Sequence, residues 1–342
     1  MAIWRTSSTR RFPWTDRPVL LLCALGILLA ALTALAVSLG PVQVPLSQLW
    51  GFLLGEEIPQ SSWNILRHIR LPRAAAAVLT GAALAVSGAV LQAVLMNPLA
   101  GPNIIGVNAG SGFFVLAAAL LFPGRWDVTP LAAFSGALLA CGIIYALAAK
   151  TGASRITIVL AGVAVSGFFG AGSDAITVLV PDAWAGASAF LVGGFSGVTT
   201  GQLSFALWYV LGGLLSALLF SHDLNVLALG EETARSLGLP VKGCRFLFLA
   251  IAAVLAGGAV SMGGLLGFVG LIVPHAARFL MGEDNRLLLP AAALLGGAFV
   301  VGCDLLSRLL FAPYELPVGI LLNFIGGPFF LWLLLKERRR RR

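Results

Sequence analysis

Two arginines, Arg70 and Arg73, flank a Leu-Pro pair ("RLPR") at the start of a long uncharged stretch. A third, Arg308, follows Asp304 by four residues, about one helical turn, so the spacing predicts a local Asp304–Arg308 ion pair. Arginine presents a planar fork of N–H donors that binds a carboxylate through two parallel hydrogen bonds. The three arginines are therefore suited to bind acidic groups.

Asp174 is a carboxylate within an apolar run, in the sequence "FFGAGSDAITVLV". A charged group inside a bilayer is costly unless it is hydrated, paired or protonated. Two interpretations stay open. Asp174 lines a water-filled path, or it is a buried acid bonded to a neighbouring helix.

The segment from Asn97 to Asn103 contains two prolines and cannot continue a helix, because proline lacks the amide donor and restricts the residue before it. Irregular backbone at membrane depth is tolerated where protein or water satisfies its polar groups. Asn97 and Leu99 are therefore candidate residues of a turn that lines a cavity, and a plain interfacial loop is the alternative.

The sequence offers little for catalysis or metal binding. It contains no G-x-x-x-x-G-K-[ST] motif, so we expect no ATP hydrolysis by this chain. Its four cysteines are isolated and show no zinc-ligand spacing, so we predict no metal held by the chain. The string "GFSG" at 194–197 mimics a motif of intramembrane serine proteases, but no histidine faces it in the predicted spans. We therefore expect no enzyme.

The elements that carry these residues are apolar. Hydrophobic residues make up 59% of the 342 and charged residues 11%, against roughly 25% charge in a soluble domain. Several uncharged runs reach the roughly 20 residues that cross a bilayer. The sequence therefore predicts an all-α polytopic membrane protein with about ten transmembrane helices. The predicted spans are 19–39, 73–95, 103–121, 129–149, 156–180, 203–221, 246–262, 264–280, 287–307 and 317–335.

Basic residues predict the orientation of these spans. An even number of crossings places both termini on one side, and the positive-inside rule makes that side cytoplasmic. Only five of the 22 lysines and arginines then fall on the outer side. They are Arg67, Arg70, Arg73, Arg125 and Arg308. The formal charge of +8 is not a nucleic-acid signature, because the basic residues sit at span ends and in the tails.

Four sequence stretches resemble a known family, the permease subunits of bacterial type II ABC importers for iron–siderophore complexes, haem and cobalamin. They are the stretch from "RLPR" to "NAGSG" at 70–112, "LGEETARSLGLP" at 229–240, "GFVGLIVPHAARFLMGEDNRLLLP" at 267–290 and "ELPVGILLNFIGGPFFLWLLLK" at 315–336. The resemblance covers nearly the whole chain and implies one permease domain over 1–342. Its parts are a cytoplasmic segment 1–18, a coupling segment 222–245 and a basic cytoplasmic tail 336–342.

The resemblance also implies partners. It predicts a second permease subunit, identical or a paralogue, two ATP-binding subunits that carry ATP and magnesium, and an extracytoplasmic substrate-binding protein. The chain itself is expected to bind no cofactor and to reside in the bacterial cytoplasmic membrane. By the motif match, Arg70, Arg73 and Arg308 become docking residues for glutamates of the binding protein.

The same resemblance assigns roles at the other side of the membrane. The turn with Asn97 and Leu99 becomes part of a cytoplasmic gate, and Asp174 lies on a path-lining helix where the family more often has a small polar residue. Short helices in 229–240 become the contact with the ATPase. The predicted contact residues are Gly230, Glu231, Glu232, Ala234, Arg235, Leu237 and Gly238. The alternative function is an ion-coupled secondary transporter in which Asp174 is the coupling acid.

Overall fold

The computed structural model describes residues 17–150, 155–310 and 314–340. Most of the predicted N-terminal segment 1–18, the 151–154 link and the last two tail residues lie outside the described residues. Within them the chain forms only helices, which confirms the all-α prediction. The α-helices are α1 (Pro18–Ser38), α2 (Leu46–Leu54), α3 (Gln60–Asn64), α4 (Leu71–Leu95), α5 (Val107–Leu121), α6 (Thr129–Lys150), α7 (Arg155–Leu179), α8 (Pro181–Val192), α9 (Thr200–Leu219), α10 (Ser221–Ala228), α11 (Glu231–Ser236), α12 (Val241–Gly263), α13 (Val269–Met281), α14 (Asn285–Leu309) and α15 (Val318–Arg340).

Helix α4 lies at the centre and packs against α12, α13 and α14. Its sequence is rich in alanine and glycine, which lets neighbouring backbones approach closely. A Cβ atom added at Gly81 would lie 2.2 Å from the carbonyl oxygen of Gly296, and one at Gly88 would lie 2.0 Å from that of Gly270. Glycine is therefore required at these two crossings.

Hydrogen bonds fix the direction of the helices around α4. Thr80 and Ser87 of α4 donate to the carbonyls of Ala259 and Ala252, at 3.4 and 2.8 Å, so α4 and α12 are antiparallel. The first residues of α12 thus lie beside the Leu95 end of α4, opposite its Arg70 end. The two ends are about 38 Å apart at 1.5 Å per residue, which exceeds the roughly 30 Å hydrocarbon core.

Seven helices within the described residues are long and apolar enough to cross a membrane. Three shorter apolar helices, α5, α13 and the first part of α15, coincide with the other predicted spans. The predicted span 264–280 starts too early, because residues 264–268 are not helical and α13 begins at Val269. The reason is a backbone contact, in which Leu265 N–H donates to the carbonyl of Phe190 at 3.0 Å.

A glycine-rich junction joins the ends of α8 and α12 to the start of α15 near the Arg70 end. The Gly194 N–H donates to the Gly263 carbonyl at 2.8 Å, and the Gly319 N–H donates to the Gly193 carbonyl at 3.1 Å. A Cβ at Gly319 would lie 2.0 Å from the carbonyl oxygen of Val192. The stretch "GGFSGVTTG" at 193–201 belongs to this junction, and its residues 193–199 are non-helical.

Candidate functional site

A cluster of charged side chains lies at the Arg70 end of the molecule, where α4, α14 and the segment before α15 meet. Arg73 of α4 donates through Nε and Nη2 to the carboxylate of Asp304, with the shortest distance 2.9 Å. Its Nη1 donates to Glu315 Oε2 at 2.7 Å. Asp304 also pairs with Arg308 at 3.2 Å, which confirms the predicted local ion pair.

Arg70 and Arg308 bind the end of helix α1. Arg70 Nη1 donates to the carbonyls of Val37 and Ser38 at 2.9 and 2.6 Å, and its Nη2 donates to that of Val42. Arg308 donates to the carbonyls of Ala36 at 3.2 Å and of Leu39 at 3.3 Å. The last carbonyls of a helix lack internal partners and carry partial negative charge. The two arginines therefore cap a helix that has no basic residue in its own last turn.

The structure thus brings the three predicted docking arginines together, but it buries them. Arg70, Arg73 and Arg308 are 4%, 8% and 3% exposed, and Asp304 is 1% exposed. The accessible member of this arginine–carboxylate cluster is an acid, because the Glu315 side chain is 30% exposed. The binding of carboxylates by arginines, which the sequence predicts, here takes place within the chain.

Glu315 was missed as a site residue by the sequence analysis. A signal exists, since it is the only charged residue between Arg308 and Lys336. An isolated charge between apolar segments favours a partner on another element. Spacing alone could not identify that partner, because Arg73 lies 242 residues away in the chain.

An exposed cation accompanies the cluster. Arg67 lies in a π-helix over Ile65–Arg70, and its guanidinium stacks on the Trp63 ring with 5.5 Å to the ring centroid. A π-helical segment is rare and often marks a functional region. Arg67 therefore presents positive charge to solvent at the end where Arg70 and Arg73 are enclosed.

The Asn97 turn lies at the opposite end of α4. The helix ends at Met96, whose φ of +47° lies in the left-handed region. The Asn97 side chain accepts a hydrogen bond from the Leu99 N–H at 2.9 Å, which closes a local turn. Both residues are half-buried. This geometry gives Asn97 a role in shaping the turn, and the gate function stays a prediction.

Asp174 lies on an uncovered face of α7. It is exposed, as is Val178 at 76%, which lies one turn further along the same face. Among the described residues no hydrogen bond or ion pair to Asp174 occurs. An unpartnered carboxylate on an apolar helix is unfavourable against lipid. The α7 face therefore fits an aqueous path or a second subunit better than acyl chains.

The predicted coupling segment forms two short helices at the Leu95 end, and α10 packs against α4, α12 and α14. Left-handed glycines bound α11, since Gly230 has a φ of +111° and Gly238 one of +83°. Ala234 is fully buried, whereas Leu237 is 63% exposed. Leu229, just before α11, is 62% exposed. The segment is thus anchored by Leu224 and Leu227 of α10, which are 0% and 1% exposed, and by Ala234 of α11, while Leu229 and Leu237 stay uncovered.

Charges of the coupling segment are shared with α12. Glu231 pairs with Arg235 at 2.6 Å along α11 and with the buried Arg245 of α12 at 3.2 Å. Glu232 and Arg235 are exposed. The salt bridge to Arg245 attaches α11 to α12, a candidate membrane-spanning helix.

A polar cluster links α10 to the start of α14. Asn225 Nδ2 donates to Asp284 Oδ1 at 2.7 Å, and Asn225 Oδ1 accepts from the Asn285 N–H at 2.8 Å. Arg286 Nη2 contacts His222 Nδ1 at 2.8 Å. The backbone N–H of Arg286 and the Asn225 amide hold the pKa of Asp284 below its ordinary value. The sequence analysis missed this cluster, because its members lie about 60 residues apart.

Comparisons with known proteins agree with this arrangement. A sequence model of the FecCD transport family matches residues 27–336. The iron(3+)-hydroxamate import system permease protein of Bacillus subtilis is 38% identical, over 98% of this chain and 88% of its own length. The hemin transport system permease protein of Yersinia pestis is 35% identical, over 95% of this chain and 98% of its own.

A solved structure shares the fold. It is an inward-facing ABC transporter described as of the metal-chelate type, with a TM-score of 0.81 and 29% identity, and the match covers 93% of this chain and 99% of that one. The family match spans most of the residues, and the relatives exceed 30% identity over nearly the whole length. The chain therefore belongs to the FecCD transport family of membrane transport permeases.

Proposed function

We propose that the chain is the membrane-spanning permease subunit of an ABC importer that moves an iron–siderophore complex, haem or cobalamin inward. The observation that carries this proposal is the FecCD family match over residues 27–336. Relatives named for iron–hydroxamate, haem and cobalamin share the same sequence features. A partner ATPase supplies the energy, and the permease is not an enzyme.

The proposed topology has ten crossings with both termini in the cytoplasm of a bacterial cell, in its cytoplasmic membrane. The Leu95 end of α4 then faces the cytoplasm and the Arg70 end faces outward. Basic residues at the Leu95 end, including Arg245 and Arg286, support this orientation. Helices α5, α13 and the first part of α15 then cross the membrane together with the non-helical segments that adjoin them. Neighbouring helices cover these segments, as at the glycine junction.

The exposed leucines of the coupling segment support a cytoplasmic partner. Leu229 and Leu237 lie beside the acidic start of α11, and acidic residues disfavour an anionic lipid surface. We propose that an ATP-binding subunit covers them. Two copies of that subunit would serve a pair of permeases, identical or paralogous, that meet along the exposed face of α7 with Asp174.

A substrate-binding protein is proposed to dock at the Arg70 end. Arg67 adds exposed positive charge there, and the arginine–carboxylate cluster holds three arginines against two acids. Rim charges speed association with a complementary surface. We also propose that Arg70, Arg73 and Arg308 contact the binding protein. This contact requires that their buried guanidinium groups become accessible on docking.

Reconstitution tests the function. The permease is placed in proteoliposomes with the ATPase encoded beside its gene, and the adjacent binding protein is added outside. We expect ATP-dependent uptake of one cargo among ferric hydroxamate, haem, cobalamin and ferric citrate. Proteoliposomes without the ATPase are the control. Uptake driven by a pH gradient without ATPase, and lost in Asp174→Asn, would contradict the proposal and favour an ion-coupled transporter.

A further inference from the structure

Each of the three guanidinium nitrogens of Arg73 already donates to a carboxylate of the chain. Its Nε and Nη2 bind Asp304, and its Nη1 binds Glu315. Asp304 is enclosed at 1% exposure and also holds Arg308, so it cannot leave without uncovering two buried cations. Glu315 is different, because 30% of its side chain is accessible to solvent and no second salt bridge to it occurs among the described residues.

The other two arginines are less available still. Arg70 and Arg308 are 4% and 3% exposed, and their guanidinium groups bind carbonyls at the end of α1. A carboxylate from outside therefore reaches the cluster most easily at the Arg73 Nη1 position. That position is already occupied by the protein's own glutamate.

We propose that Glu315 is an internal ligand that holds the place of a docking carboxylate, so that binding of an acidic partner exchanges one carboxylate for another on Arg73. This inference rests on the proposed function, which supplies the external binding protein. The exchange leaves the number of salt bridges to Arg73 unchanged. Its net effect is therefore to release Glu315 to solvent.

Release of Glu315 acts on the start of α15. The residue lies in the non-helical segment 314–317, and the Leu316 N–H holds this segment to the Ser307 carbonyl by a long 3.3 Å bond. Two residues after Pro317, Gly319 donates to Gly193 in the glycine junction. Release of segment 314–317 thus loosens the connection between the Arg73 cluster and the junction of α8, α12 and α15. Glu315 is a positioning residue for this response.

Binding measurements test the exchange. Wild-type permease in nanodiscs is compared with Glu315→Gln, and the probe is the purified binding protein encoded beside the gene. We expect Glu315→Gln to bind about fivefold tighter, because the internal competitor is gone. Glu315→Asp should restore binding close to wild type. Asp127→Asn is the matched control, since it removes a carboxylate that pairs with Arg125 at an exposed site, and it should change affinity by less than about twofold.

A spin label at the exposed Tyr314 provides the second readout. We expect a restrained label in wild type, a mobile one in Glu315→Gln, and mobilisation of the wild-type label when the binding protein docks. Docking with unchanged or weaker affinity in Glu315→Gln, or without mobilisation, overturns the exchange. If no variant binds the protein, the proposed docking function fails instead, and the inference fails with it.

Discussion

The two ends of α4 carry polar clusters of opposite character. At the Arg70 end, Arg73, Asp304 and Arg308 are buried and tie α1, α4 and α14 together. At the Leu95 end, the charged residues Asp284 and Arg286 are exposed, whereas Asn225 is half-buried and Asn285 is buried. Both clusters join sequence-distant elements. They differ in the environment of their charges.

This difference decides what each cluster can do. Buried charges interact strongly and cannot lose a partner without a large cost, so the Arg70 end is a fixed structure with one exchangeable group. Exposed charges are screened by solvent and contribute little to stability. The Leu95 end can therefore rearrange when a partner moves. A fixed cluster at the Arg70 end and an adaptable one at the Leu95 end suit the proposed contacts with a binding protein and an ATPase.

The largest effect is expected from Asp304→Asn. The substitution removes the carboxylate shared by Arg73 and Arg308 and leaves two buried cations with reduced compensation. We expect a loss of about 3–5 kcal/mol in the free energy of unfolding. Thermal unfolding in detergent measures it, with Asp127→Asn as the control at an exposed pair. Equal melting temperatures for the two variants would show that the buried network does not hold the fold.

A smaller loss is expected from Arg73→Lys. Lysine keeps the charge but cannot hold two carboxylates through a planar fork. We expect destabilisation by about 1.5–3 kcal/mol, the range for lost hydrogen bonds to charged groups. The same melting assay measures it. A lysine variant as stable as wild type would contradict the importance of the fork geometry.

At the Leu95 end, Asp284→Asn should cost less than about 1 kcal/mol, because the site is exposed. Glu283→Gln in the same loop is the matched control, and no hydrogen bond to its side chain occurs among the described residues. The contrast with Asp304→Asn is the test. If Asp284→Asn lowers the free energy of unfolding as much as Asp304→Asn does, the two clusters do not differ in their contribution to stability.

Acid pH gives a further test of Asp284. Its folded pKa is lowered, so its contribution to stability is complete above its ordinary pKa of about 4 and is lost as the pH falls through the folded pKa. We expect the melting temperature of wild type to fall more steeply below about pH 4 than that of Asp284→Asn. If the melting temperatures of wild type and Asp284→Asn fall equally with pH, protonation of Asp284 is not coupled to unfolding.

The smallest effect on stability is expected from Leu229→Ala combined with Leu237→Ala. Both side chains are more than 60% exposed, so the melting temperature should not change. Affinity for the partner ATPase should fall about tenfold, because two apolar contacts are lost. Co-purification and titration with the ATPase measure this, with Thr233→Ala as the control. Unchanged affinity would place the ATPase contact elsewhere.

The sequence predicts the helical class, the bounds of six long helices to within three residues and the short helices of the coupling segment, because hydropathy and glycine or proline placement are local signals. It predicts no span at α2, α3 or α8, and its spans for α12, α13 and α15 miss one end by five residues. It also predicts the Asp304–Arg308 pair from one-turn spacing. It does not predict that Arg73 uses Glu315, or that Arg70 caps α1, because these contacts depend on how distant helices pack. The late start of α13 has the same origin, since Phe190 supplies the hydrogen bond that holds Leu265 outside the helix.

The glycine crossings of α4 bear on which parts of the permease can move during transport. At Gly81 and Gly88 the facing backbones leave no room for one added carbon atom, so any rotation of α4 against α13 or α14 brings bulkier neighbours into collision. Helix α7 has one comparable crossing, on its inner side, where a Cβ at Gly162 would lie 1.9 Å from the Ile104 carbonyl oxygen. We therefore expect the movements that open a passage for a bulky cargo to preserve these crossings, with α4 as a stationary axis.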